Sequence, residues 1–266
     1  VSFVMLLSRP NETVIEAVGF SLKEASGSGR TILEGINLNL LAGRILAIIG
    51  PTASGKSTFL KCINRLCELE YAVHPAGTLK VLGEDVYAPK VDVLALRRRV
   101  GMVFSQPTLP VPGIFDNVAL APRIMGVHDR AVLASLVERC LRQVGLWEIL
   151  AGRLSDKATT LSAEHQQRLC IARVLAADPA VLLFDEPTAH LDYPSAGHLE
   201  DLICDLAKKY PVIIAAQTPQ QAAHVSHDTA FFWDGRLVEF GPTEEVLTNP
   251  KDARTEAYIT GRFDEK

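Results

Sequence analysis

Apolar residues along this chain come in two rhythms, short solid runs and longer stretches of helical spacing, and their alternation predicts an α/β fold. Residues 44–49, 180–184 and 212–216 are apolar almost throughout. Such runs are too short for isolated helices and too apolar for surface strands, so they predict buried strands, with 100–104 as a further short core strand. Residues 14–22 and 36–40 read as two closely spaced strands, and 78–82 with 83–87 continue them into an antiparallel β-layer. Glu24 to Arg30 reads as a turn. Helices are expected at 59–66, 91–99, 159–177, 195–209 and 220–225. Between 114 and 150 the positions Val132, Leu133, Leu136, Val137, Cys140, Leu141 and Val144 mark a candidate helical subdomain. Pro107, Pro110 and Pro112 make 105–113 a constrained loop. Asp234-Gly235 joins 229–233 to 236–239 as a hairpin, and the tail 243–263 reads as helical and polar.

Composition narrows this picture. At 266 residues, 48% apolar and 22% charged, the chain suits one large α/β domain or a domain with a subdomain. A net charge of −4 gives no global basic field for nucleic acid. The run Arg97-Arg98-Arg99 resembles a basic patch, but a solvated helix C-terminus is the favoured reading. Aromatic residues are only 6%, too few for the stacking surface that single strands need, so a nucleic-acid partner is not expected. Cys62, Cys67, Cys140, Cys170 and Cys204 are scattered without a C-x-x-C pair, which suits packing in a reducing compartment. No apolar run approaches the roughly 18 residues of a membrane span. Val1 to Leu7 is apolar, but no charged segment precedes it and Arg9 to Glu12 soon follow, so a signal peptide is not expected. The start at Val1 suggests a trimmed or alternatively initiated N-terminus.

Candidate chemistry concentrates in two places. Gly50-Pro51-Thr52-Ala53-Ser54-Gly55-Lys56-Ser57-Thr58 has the spacing G-x-x-x-x-G-K-[ST] between an expected buried strand and an expected helix. In that setting backbone N–H groups curl around a phosphate and the helix N-terminus adds partial positive charge. Lys56 would reach the β/γ-phosphates and Ser57 would ligate Mg²⁺. The alternative is an ordinary glycine-bearing turn, which leaves the lysine and hydroxyl without a packing rationale. Asp185-Glu186 ends the strand 180–184, where ligands of parallel sheets sit. Asp185 would hold Mg²⁺ and Glu186 would serve as general base. A helix-capping or surface pair is the alternative.

In this order, the phosphate loop, the proline-rich loop, the helical insertion and the Asp-Glu strand resemble an ATP-binding cassette ATPase over residues 13–263. The strings 56–65 (KSTFLKCINR), 98–104 (RRVGMVF), 166–173 (QQRLCIAR), 220–223 (QQAA) and 257–263 (AYITGRF) look like the ATPase subunit of bacterial phosphate importers. The resemblance implies a P-loop NTPase (RecA-like) core and antiparallel β-subdomain at 13–104 and 180–240. It further implies a helical and signature subdomain at 105–179 and a helical tail at 243–266. ATP and Mg²⁺ are the implied cofactors. The implied partners are two membrane permease subunits and, indirectly, an external phosphate-binding protein, together with a second cassette in a homodimer or heterodimer. Such a subunit sits on the cytoplasmic face of the inner membrane, held there by the permease. The implied dimer sandwiches ATP between the loop 50–58 and the partner's signature segment.

Several positions depart from the family pattern. The signature stands as Leu161-Ser162-Ala163-Glu164-His165, followed by Gln166, so both glycines are replaced and Glu164 brings a carboxylate toward the partner's γ-phosphate. The switch histidine aligns with Gln217, which can hydrogen-bond a phosphate but carries no charge. The loop glutamine expected after Phe104 is Ser105, with Gln106 one place later as a candidate Mg²⁺ contact. The aromatic expected to stack on adenine aligns near Leu22, with Phe20 on the same strand face. Ala53 replaces a loop glycine. Asp192 fits the family's dimer-contact loop, or alternatively a helix N-cap before Pro194. Two functions therefore follow: an active ATPase using Lys56, Ser57, Asp185 and Glu186 with Gln106 and Gln217 in support, or a degenerate cassette that binds ATP and hydrolyses it poorly.

Overall fold

The computed structural model describes residues 12–25, 29–70 and 72–262. Expectations for residues 1–7, for 26–28 of the first turn and for Phe263 lie outside them. The chain first forms two long strands, β1 (Thr13–Glu24) and β2 (Thr31–Leu41), paired antiparallel and interrupted by bulges. The fully buried β3 (Ile45–Ile49) follows and leads into α1 (Lys56–Ile63). Next come β4 (Val73–Val81), the two-residue β5 (Glu84–Asp85), α2 (Val93–Arg99) and β6 (Val100–Val103). The helical stretch is α3 (Ile114–Ile124), α4 (Arg130–Gln143), α5 (Trp147–Leu150) and α6 (Ala163–Leu175). The remainder runs β7 (Val181–Asp185), α7 (Tyr193–Ala207), β8 (Val212–Ala215), α8 (Pro219–Val225), β9 (Asp228–Trp233), β10 (Arg236–Pro242), α9 (Thr243–Thr248) and α10 (Ala253–Ile259).

The strands join in the order β5-β4-β1-β2-β10-β9-β3-β8-β7-β6. At one end β1, β2, β4 and β5 form the expected antiparallel layer. At the other, β3, β8, β7 and β6 are parallel, so the solid apolar runs become strands buried on both faces. A single pair, Arg236 with Glu34, joins the two parts through β10 and β2.

Side-chain alternation along the parallel strands divides the interior into two cores. Ile45, Ala47, Ile49, Leu182, Phe184, Val212 and Ile214 face the helical side with α3, α4, α6 and α7. Leu46, Ile48, Leu183, Ile213 and Ala215 face α1 and the antiparallel layer. One strand thus holds both subassemblies, and the loop at the end of β3 lies where they meet.

Several boundaries differ from the pattern-based expectation for local reasons. The expected helix 159–177 begins only at Ala163, because Ser162 is extended (φ −60, ψ 159) and its Oγ caps the N–H of His165. The helical stretch 114–150 breaks at Gly126, whose φ of +89 ends α3, and again at Gly145. The first helix starts at Lys56 instead of Phe59. The cysteines are all free thiols, four of them buried.

Candidate functional site

The loop after β3 is held open by backbone conformations that side chains resist. Gly50 has φ +147, and a Cβ there would lie 2.2 Å from the Phe232 carbonyl oxygen. Gly55 has φ +104 and abuts Leu33 of β2 and Gly235 of the β9–β10 turn. Ala53 takes φ +62, a left-handed conformation that costs a non-glycine residue roughly 1–2 kcal/mol. That cost falls where the family pattern has glycine. No side chain caps α1, so its first N–H groups face the loop's interior with the positive end of the helix dipole.

Lys56 is buried and folds back into the loop. Its ammonium donates to the Gly50 and Pro51 carbonyls at 2.8 and 2.9 Å and stands 3.7 Å from Glu186 Oε1, an ion pair without a hydrogen bond. Burial pulls its pKa down, opposed by the charges of Glu186 and Asp185. Ser57 Oγ donates to Asp185 Oδ1 at 2.7 Å across 128 residues of sequence. Asp185 ends β7 almost fully buried, and burial pushes its pKa up against the lowering effect of the Ser57 bond. Glu186 follows in a left-handed conformation, φ +47, its N–H donating to Ala215 O. Strain at that position turns the carboxylate out of the sheet edge toward Lys56.

These residues line a cleft of about 660 Å³ together with Thr52, Ala53, Ser54, Gly55, Thr58, Glu24, Arg30, Thr31, Ile32, Asp234 and Gly235. Ser54 Oγ is buried there with no hydrogen-bond partner among the described residues. An orphaned hydroxyl, a buried ammonium and uncapped helix N–H groups form a donor set that suits a bound phosphate chain. The Ser57 hydroxyl and Asp185 carboxylate, already in contact, are the oxygen donors that would hold a divalent cation beside it.

The remaining sequence candidates lie apart. Leu161 to Gln166 sit at the start of α6, outside the cleft. Gln166 Nε2 donates to the Leu161 carbonyl at 2.8 Å and ties the turn together. Glu164 does not stand free. Its carboxylate pairs with Arg168 at 2.7 Å and lies 3.7 Å from His198 Nδ1. The charge that the sequence suggested would repel a partner's phosphate is matched within its own helix. Sequence reasoning missed Arg168, although an acid four residues ahead of an arginine on one helix is the signal that finds it.

Gln106 is exposed in the proline-rich loop and does not line the cleft. Gln167 instead reaches back from α6 and donates to the Phe104 carbonyl at 2.7 Å. Gln217 is exposed in a second cavity of about 740 Å³, bounded by α7 and α8. Its backbone N–H is held by Gln221, which also bonds Thr188 and Glu200. Asp192 accepts from Ser195 N at 2.9 Å as the N-cap of α7, and hydrogen bonding from the Ser195 side chain, then from that backbone N–H, holds its pKa down. Phe20 and Leu22 share a strand face as expected, but it is the core face. Both are buried, and Phe20 packs on Phe59 and Tyr87, so neither offers a surface to a ligand.

The parallel sheet, the phosphate-cradling loop and the carboxylates at the end of β7 define a P-loop nucleotide-binding protein. A sequence profile described as ABC transporter matches residues 33–189, more than half of the chain, and the chain belongs to that family as an ATP-binding subunit. Two solved structures share the fold. One is cbiO1 from Clostridium perfringens, part of the ABC transporter complex cbiONQ. It is 23% identical, with a TM-score of 0.78 over 94% of this chain and 97% of that one. The other is a bacterial Atm1-family ABC exporter with ATP bound. It is 24% identical, with a TM-score of 0.75 over 96% of this chain and 43% of the exporter chain. Among the described residues no helix is long and apolar enough to cross a membrane.

Proposed function

We propose that this chain hydrolyses ATP to energise an importer of inorganic phosphate. The reading of an active enzyme rests on one arrangement: Ser57 Oγ 2.7 Å from Asp185, with Glu186 beside the buried Lys56 in the same cleft. In it the loop N–H groups and Lys56 would hold the β- and γ-phosphates, and Ser57 and Asp185 would hold Mg²⁺, which when bound would supply positive charge against the phosphates. Glu186, one-third exposed at the mouth of the sheet, accepts the proton of the attacking water. Two such chains, or one chain and a second cassette, close on two nucleotides with Leu161 to Gln166 facing the partner's loop and Asp192 near the contact. Two membrane permease subunits receive that motion at the cytoplasmic face, supplied by an external phosphate-binding protein. The importer assignment is supported by the strings at 56–65, 98–104, 166–173 and 257–263.

Gln217 favours a second reading, a cassette that binds ATP but turns it over slowly within a pair. Its side chain is uncharged and lies outside the cleft lining. One experiment separates the two. Under the first reading the purified chain hydrolyses ATP, and Glu186→Gln abolishes turnover with nucleotide binding preserved. Equal, negligible turnover of wild type and variant in the presence of the permease overturns it. Stimulation of the assembled transporter by a phosphate-loaded but not a sulfate-loaded binding protein tests the substrate.

A further inference from the structure

We propose that Arg30 is the platform on which the nucleobase stacks; the inference rests on the nucleotide-binding reading above and names the residue that completes its cleft. The loop 50–58 fixes where phosphates sit, so ribose and base must occupy what remains of the cleft. Gly55 abuts Leu33 of β2. From Leu33 the strand leads to Ile32, Thr31 and Arg30, all lining the cleft, and three residues of strand place Arg30 roughly 10 Å from that contact. This is the reach of a ribose and a base beyond a phosphate chain. Among the described residues no aromatic lines the cleft, and Phe20 and Leu22 are consumed by the core.

Arg30 is exposed, and its guanidinium makes no hydrogen bond or ion pair among the described residues. Its carbonyl accepts from Glu24 N at 2.9 Å, which ties its backbone to the end of β1. A planar, weakly hydrated guanidinium carried at the edge of the cleft offers a face to any purine. Lysine at the same place would offer charge without the plane.

The test is calorimetric titration of Mg²⁺-ATP and of Mg²⁺-tripolyphosphate into wild type, Arg30→Ala, Arg30→Lys and Arg30→Tyr, each first shown to melt with the wild-type transition. Stacking of one base is expected to make the alanine and lysine variants about 5- to 30-fold weaker for ATP, with tripolyphosphate affinity unchanged and the tyrosine variant close to wild type. An unchanged ATP affinity in Arg30→Ala overturns the proposal. Equal weakening of ATP and tripolyphosphate, or full retention by Arg30→Lys, also overturns it and assigns Arg30 a charge role toward phosphate. Wild type that binds neither ligand refutes the nucleotide-binding reading itself, a result distinct from any of these.

Discussion

Replacing Arg168 by methionine tests whether the acidic residue of the altered signature is neutralised inside its own chain. The two side chains are 18% and 16% exposed and pair at 2.7 Å. An exposed pair couples by about 0.2–1 kcal/mol, and removing one partner of a buried pair costs about 3–5 kcal/mol. A pair screened to this degree lies between, at about 1–2 kcal/mol of coupling. Arg168 also donates to the Val144 carbonyl at 3.2 Å, tying α6 to the end of α4, and that bond contributes about 1 kcal/mol more. Arg168→Met is therefore expected to lose about 2–3 kcal/mol and to lower the thermal midpoint by about 4–10 °C for a chain of this size. The assay is urea unfolding of wild type, Glu164→Gln, Arg168→Met and the double variant, whose cycle isolates the pair. ATP-dependent self-association gives the functional counterpart. Glu164→Gln should leave it nearly unchanged, whereas Arg168→Met, which frees the carboxylate, should weaken it. A coupling energy below about 0.5 kcal/mol, or association that strengthens in Glu164→Gln as much as it weakens in Arg168→Met, refutes the reasoning.

Two further outcomes follow from the cleft. Gly50→Ala drives a methyl group to 2.2 Å from the Phe232 carbonyl at a φ that alanine avoids, so it should cost about 2–4 kcal/mol by chemical unfolding and abolish ATP binding. Asp185→Asn should make the ligand-free protein more stable at neutral pH while removing Mg²⁺-dependent nucleotide affinity. Burial raises the folded-state pKa of Asp185 above its unfolded value, so its contribution to stability is present below the unfolded value and is lost as pH rises through the folded one. The difference in melting temperature between variant and wild type should accordingly widen as pH rises through that window. A constant difference from pH 4 to pH 8 contradicts the assignment.

Much of the local chemistry was legible in the chain because it is local. The spacing Gly50 to Ser57 places donors around a phosphate whatever surrounds it, and Asp185-Glu186 end an apolar strand that can only be buried. The altered residues behave otherwise. Glu164 looked like an unopposed charge until the helix brought Arg168 beside it one turn later, a pair readable in principle from its spacing. Phe20 and Leu22 looked available for stacking because period 2 tells which residues share a face, and not which face is covered. Packing of α1 against β1 decided that, through Phe59. Gln217 and Gln106 hold their places in sequence but line no part of the phosphate cleft, since loop paths depend on partners elsewhere in the chain: Gln221, which holds the Gln217 N–H, is itself fixed by Thr188 and Glu200.

By itself, then, the sequence determined the α/β class, the phosphate loop and the carboxylate pair, because each follows from short-range periodicity and backbone chemistry. Only the tertiary structure decided that Ser57 meets Asp185 across 128 residues, that Lys56 stands beside Glu186, and that Arg30 borders the cleft. Those facts depend on strand order and on which sheet face the helices cover. No spacing along a single chain encodes either.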